Sequence, residues 1–141
     1  MKIKTKRLES QGVQIKKKRE DAVMSITKKS INNNEYTFIN HSRGNRSGFV
    51  HEAELYKNDR LIGENKIQYY NRTWESYQYQ SVMRGIVYAL IDEAKESFKN
   101  AWKDAHGVKR LTEAKKKAMQ EDFEKNPPEN YGDLVELLKA L

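Results

Sequence analysis

From Tyr79 to Trp102, apolar residues return at steps of three and four: Tyr79, Met83, Ile86, Leu90, Ala94, Phe98 and Trp102. Val82, Val87 and Ile91 widen the stripe. A helix turns once in about 3.6 residues, so these side chains share one face and must be buried against another layer. The spacing predicts a helix from about Thr73–Ser76 to about Asp104, capped by Asn71, Thr73 or Ser76 and stopped at Gly107. Whatever else the chain does, it has to supply a surface for that stripe.

Residues 35–72 are suited to supply it. "EYTFIN" places Tyr36 and Phe38 on one side of an extended segment. "FVHEAELYKN" alternates Phe49, His51, Ala53 and Leu55 against Val50, Glu52, Glu54 and Tyr56, and "ENKIQYYNR" alternates Ile67 and Tyr69 against Gln68 and Tyr70. Period-two alternation with aromatic and β-branched content predicts strands, with turns at "HSRGNRSG" and "NDRLIG". After the long helix, Leu111, Ala114, Ala118 and Phe123 outline a second helix that ends at "NPP". "GDLVELLKAL" predicts a short third helix capped by Asp133. The expected fold is α+β: a three-stranded antiparallel sheet packed against one long helix, with two further C-terminal helices and a basic N-terminal arm. Residues 1–31 are assigned to the arm and 32–141 to a single domain. Between Val13 and Ile31 the apolar spacing suits a short helix, while "VMSIT" suits a strand, and both stay open. "NNN" at 32–34 reads as a turn.

The net charge of +7 is uneven. The first 30 residues hold ten basic and three acidic side chains, and the other 111 hold seventeen of each. Four bases lie among residues 2–7, and "KKKR" adds Lys16, Lys17, Lys18 and Arg19. Such a field attracts an anionic partner. A solubilising tail can have this composition too, but concentration into one short stretch favours binding. Arg43 and Arg46 sit in the "HSRGNRSG" loop, whose glycines at 44 and 48 would let backbone amides approach a partner.

Five of the fourteen aromatic residues fall in "YYNRTWESYQYQS", around Arg72 and Glu75. Exposed rings there would stack on bases, with Arg72 adding a phosphate contact. The same rings also suit the corner where a strand turns into a helix and closes a core. The corner reads as mainly structural.

No enzymatic motif is present. His41 or His51 with Glu52 or Glu54 would be the raw material of a metal-dependent nuclease, but H-E-x-x-H spacing, a P-loop and G-x-S-x-G are all missing. His106 fits a helix C-terminus, where a cation is favoured. The chain has no cysteine, which rules out disulfides and thiolate ligands. Neither a signal-peptide run nor a bilayer-length apolar stretch occurs, so no membrane partner is expected, nor any cofactor. The protein reads as cytoplasmic in a bacterial host cell.

Residues 40–83, "NHSRGNRSGF…HEAELYKNDRLIG…YYNRTWESYQYQSVM", resemble small accessory proteins of phages and mobile elements from Gram-positive bacteria. The most distinctive part is N-R-T-W-E-x-Y-x-Y-Q, Asn71 to Gln80. The resemblance implies an anti-defence role, since type II anti-CRISPR inhibitors come from such sources. Three strands followed by a long helix are also similar in topology to double-stranded-RNA-binding domains. That family grips phosphates with lysines at the start of its last helix. "YQYQSVMRG" offers only Arg84 there, so duplex binding through this helix is not expected. The function expected is inhibition of a host RNA-guided nuclease by binding it, or its guide RNA, through Lys16–Arg19, Arg43, Arg46 and Arg72. A general RNA- or DNA-binding accessory protein is the alternative.

Overall fold

The computed structural model describes residues 17–19, 22–73 and 75–141. Five strands come first: β1 (Lys17–Arg19), β2 (Ala22–Ile31), β3 (Asn34–Gly44), β4 (Phe49–Lys57) and β5 (Arg60–Tyr69). Three helices follow: α1 (Ser76–Ala105), α2 (Glu113–Lys125) and α3 (Tyr131–Ala140). The strands make one antiparallel sheet in chain order, so the fold is α+β.

The sheet is larger than the three strands expected. Residues 22–31, grouped by sequence with the arm, pair along their whole length with β3, from Ala22↔Arg43 to Ile31↔Asn34. The hairpin turns at Asn32 and Asn33, whose φ values of 51° and 68° suit a two-residue loop that matches strand twist. Two lysines in mid-strand weaken the alternation of β2, and pairing with a neighbour decides its conformation. Asn58 and Asp59 turn the β4–β5 hairpin in the same way, with φ of 53° and 90°.

One sheet face carries Tyr36, Phe38, Ala53 and Leu55 into the core. Against it lie Tyr79, Val82, Met83, Ile86, Val87 and Ile91 of α1, with Leu134 and Leu137 of α3. α1 rests directly on β5 at Gly63, where a Cβ would stand 2.7 Å from Ile86 Cγ2. The predicted stripe is therefore the buried face as far as Ile91; beyond it Phe98 and Trp102 turn to α2, and Trp102 Nε1 donates to Asp122 Oδ2 at 2.7 Å. α2 has no buried residue of its own and is held by edge-to-face contacts of Phe123 with Phe98 and Tyr131.

Two caps differ from expectation. Glu75 is the N-cap of α1 and forms a capping box with Gln78, because Asn71 lies too far back and Ser76 is already helical. Asp133 is not the cap of α3. It sits within the first turn and reaches across to the sheet, accepting from Asn32 Nδ2 at 2.7 Å, Asn34 Nδ2 at 3.0 Å and the Tyr36 hydroxyl at 2.7 Å. Burial pushes the Asp133 carboxyl up, but the bonds from Asn32, Tyr36 and Asn34 and the charge of Lys57 outweigh it and hold it below its ordinary value. A depressed pKa contributes stability that is complete above the unfolded value of about 3.9 and fades as pH falls through the folded one. Asp133→Asn should therefore melt below wild type at pH 7, and the gap should narrow below about pH 4. A gap that is constant across an acid titration of the melting midpoint would contradict this.

Candidate nucleic-acid interface

The register of the sheet brings distant basic segments to one end. Arg19 pairs with Ala22, Ala22 with Arg43, Gly44 with Phe49, and Phe49 with Tyr69. The start of β2, the β3–β4 loop and the β5–α1 corner thus lie side by side. By backbone position Lys17, Lys18 and Arg19 belong to this end, as do Arg43, Arg46 and Arg72. The three arginines are exposed. Lys16 lies outside the described residues, as does Trp74 of the aromatic corner.

Arg43, expected in the loop, belongs instead to β3, where it pairs with Ala22 and Val50, because the strand ladder runs on to Gly44. The loop that remains carries Arg46 and is held by hydrogen bonds. Asn45 Oδ1 accepts from the amides of Ser47 and Gly48 at 3.0 and 2.9 Å, and Asn45 Nδ2 donates to Gln68 Oε1 at 2.7 Å. Gln68 Nε2 in turn donates to the Tyr69 carbonyl at 2.8 Å, tying the loop to β5. Gly48 has φ of +151°, and a Cβ there would fall 2.2 Å from the Tyr69 carbonyl oxygen and 2.8 Å from that of Asn71. The expectation that this glycine frees an amide for a partner is corrected. Its amide bonds Asn45, and its lack of a side chain lets the loop seat on the corner. Arg46 projects from a fixed base, next to the segment that carries Arg72.

The corner itself is largely a helix start. Gln78 Oε1 accepts from the Glu75 amide at 3.0 Å, and Gln78 Nε2 donates to Asn71 Oδ1 at 2.9 Å. Asn71 Nδ2 donates to the Thr73 carbonyl. Beneath them His51 is buried among Phe49, Tyr69 and Tyr79, with Tyr79 edge-on at 4.9 Å. Burial pushes the His51 pKa below its ordinary value, against a hydrogen bond with Gln78 that opposes the shift. Tyr79 is likewise pushed up by burial, opposed by bonds with Ser42 and Ser25. The distinctive Asn71–Gln80 motif thus supplies caps and a buried polar layer. Tyr70, just before the motif, and Tyr77, inside it, do not share this role. Tyr70 is 78% exposed and Tyr77 57% exposed, on either side of Arg72. Sequence reasoning treated the cluster as one unit, although Tyr77 falls off the helical stripe that begins at Tyr79.

His41 and His51 do not come together. His51 pairs with Ser42, so His41, one position earlier on β3, faces the other side of the sheet. There His41, Glu52, Glu54, Glu64 and Lys66 line an open concavity of about 470 Å³. Among the described residues, no group of three His, Asp or Glu side chains is placed to hold a metal ion. No helix among them is long and apolar enough to cross a membrane. His106 closes α1, with its ring stacked on Trp102 at 4.0 Å. Comparison with protein-family models, curated proteins and solved structures finds no match to the chain.

Proposed function

We propose that this protein grips the phosphate backbone of nucleic acid with the basic end of its sheet, as a phage or mobile-element anti-defence factor directed at an RNA-guided nuclease. The observation that carries the binding role is the convergence of basic residues from three chain segments, two of them set on rigid, exposed positions beside the corner. Guanidinium groups bind phosphate oxygens in pairs, and a fixed base lowers the entropy lost on binding. The nuclease setting is supported by the resemblance of residues 40–83, and the guide RNA is the component whose charge suits this end. A basic protein does not imitate DNA, so occupation of the guide or of a conformational step fits better than mimicry.

Titration of labelled RNA at rising salt tests the reading. With about six phosphate contacts, affinity should fall roughly 10³-fold between 50 and 200 mM salt. Retention of the protein by a nuclease–guide complex, and its loss after ribonuclease treatment, would identify the guide RNA as the partner. Retention that survives the treatment would point to the nuclease itself. RNA binding with no retention would leave the general accessory role, and failure to bind any nucleic acid would overturn the proposal.

A further inference from the structure

The three large apolar side chains exposed among the described residues are Tyr70, Tyr77 and Tyr88, at 78%, 57% and 55%. Their placement is not scattered. Tyr77 and Tyr88 are eleven residues apart on α1, three turns, which aligns them on the face opposite the core, about 16 Å apart along the axis. Ser81 and Arg84 lie between them on that face, both exposed. Tyr70 sits beyond the helix start, at the basic end. From Ser76 to Ile91 the helix has no acidic residue, and Asp92 and Glu93 follow at once. Beyond the N-cap Glu75, an aromatic strip that carries Arg84 and no acid thus runs along α1 from Tyr77 and ends at a negative boundary.

We infer that this strip is a base-stacking track for single-stranded nucleic acid. The inference rests on the sheet end binding phosphates and names the form of nucleic acid that would continue from it. A tyrosine ring offers its face to any base, and Arg84 is placed to meet a phosphate or stack on a neighbouring base. In a duplex the base faces are already stacked on one another, so exposed rings have nothing to receive. A single strand held at Arg43, Arg46 and Arg72 presents unpaired bases to Tyr70, Tyr77 and Tyr88 in turn. The charge matches as well, since a strand is repelled by Asp92 and Glu93 and not by the sixteen residues before them.

Anisotropy with short oligouridine, oligothymidine and an RNA duplex separates the track from the basic end. Tyr77→Ala with Tyr88→Ala should leave the melting midpoint near wild type and weaken single-strand binding by roughly 5- to 100-fold per ring. Duplex affinity should not change, and Tyr77→Phe with Tyr88→Phe should keep single-strand affinity, because the ring and not the hydroxyl does the stacking. A loss confined to oligouridine identifies RNA as the strand, whereas equal losses show that the track accepts either sugar. If the alanine pair binds single strands as wild type does while Arg43→Gln, Arg46→Gln and Arg72→Gln abolish binding, the track is refuted and the basic end stands. Equal loss on duplex and single strand, or a phenylalanine pair as weak as the alanine pair, also refutes it. If wild type binds none of the three, both readings fall together.

Discussion

Replacing Arg43, Arg46 and Arg72 together by glutamine is expected to lower affinity for a nucleic-acid strand about a hundredfold at physiological salt. Each arginine that neutralises a phosphate releases counterions, so on a single strand, at about 0.7 per contact, the slope of log K against log salt should become shallower by about 2.1. The slope is the sharper readout, because it counts contacts and does not depend on how tightly each one holds. Changing Lys16, Lys17, Lys18 and Arg19 as well should take binding to background. All three arginines are exposed, so the melting midpoint should stay within about 1–2 °C of wild type. An unchanged slope in the triple variant would mean that these side chains touch no phosphate, however the affinity behaves.

Gly48→Ala should produce the largest loss of stability for the smallest chemical change. The added methyl would overlap two backbone carbonyls, at 2.2 Å from Tyr69 and 2.8 Å from Asn71, and neither can rotate out of the way. The φ of +151° adds backbone strain that an L side chain rarely accepts. Strain and overlap together should cost about 3 kcal/mol, or about 10 °C in the melting midpoint. The displaced loop would also carry Arg46 away from Arg72, so nucleic-acid affinity should fall in protein that remains folded. Gly107→Ala is the natural comparison: φ there is +62°, but nothing lies within 4 Å of the added carbon. It should cost about 1 kcal/mol and leave binding alone. Equal midpoints for the two variants would show that the loop does not seat on the corner as described.

What could be read from the sequence was whatever depends on neighbours in the chain. The α1 stripe, the strand alternation of β3 to β5 and the turns within "NNN" and "NDRLIG" follow from local period and turn chemistry, although pairing shortens the turns to Asn32–Asn33 and Asn58–Asp59 and puts Asn34 and residues 60–63 in strands. β2 is ambiguous in the sequence because Lys28 and Lys29 interrupt its pattern, and its partner strand decides its state. In the sequence Asp133 reads as a cap, because an acid near a helix start usually is one. Its true partners, Asn32, Asn34 and Tyr36, are about a hundred residues away in sequence, so no local pattern announces them. The candidate site divides the same way. Arg43, Arg46 and Arg72 could be named from composition and loop context, but their gathering at one end depends on strand register. Tyr77 and Tyr88 fall outside the stripe, but no sequence expectation singles them out. Only the packing of α1 shows that nothing else among the described residues covers them.

The order of manufacture gives the placement of α3 a consequence for newly made chains. On a ribosome the meander emerges first, each strand beside the one just completed, and such neighbouring pairings form quickly. Tyr36 and Phe38, however, are sealed partly by Leu134 and Leu137, which are translated nearly last. Until then the nascent sheet displays a greasy flank to solvent and is at its most vulnerable to aggregation and to proteases. Slow translation over the segment between α1 and α3 would therefore lower the yield of soluble protein without altering a single residue of the finished molecule.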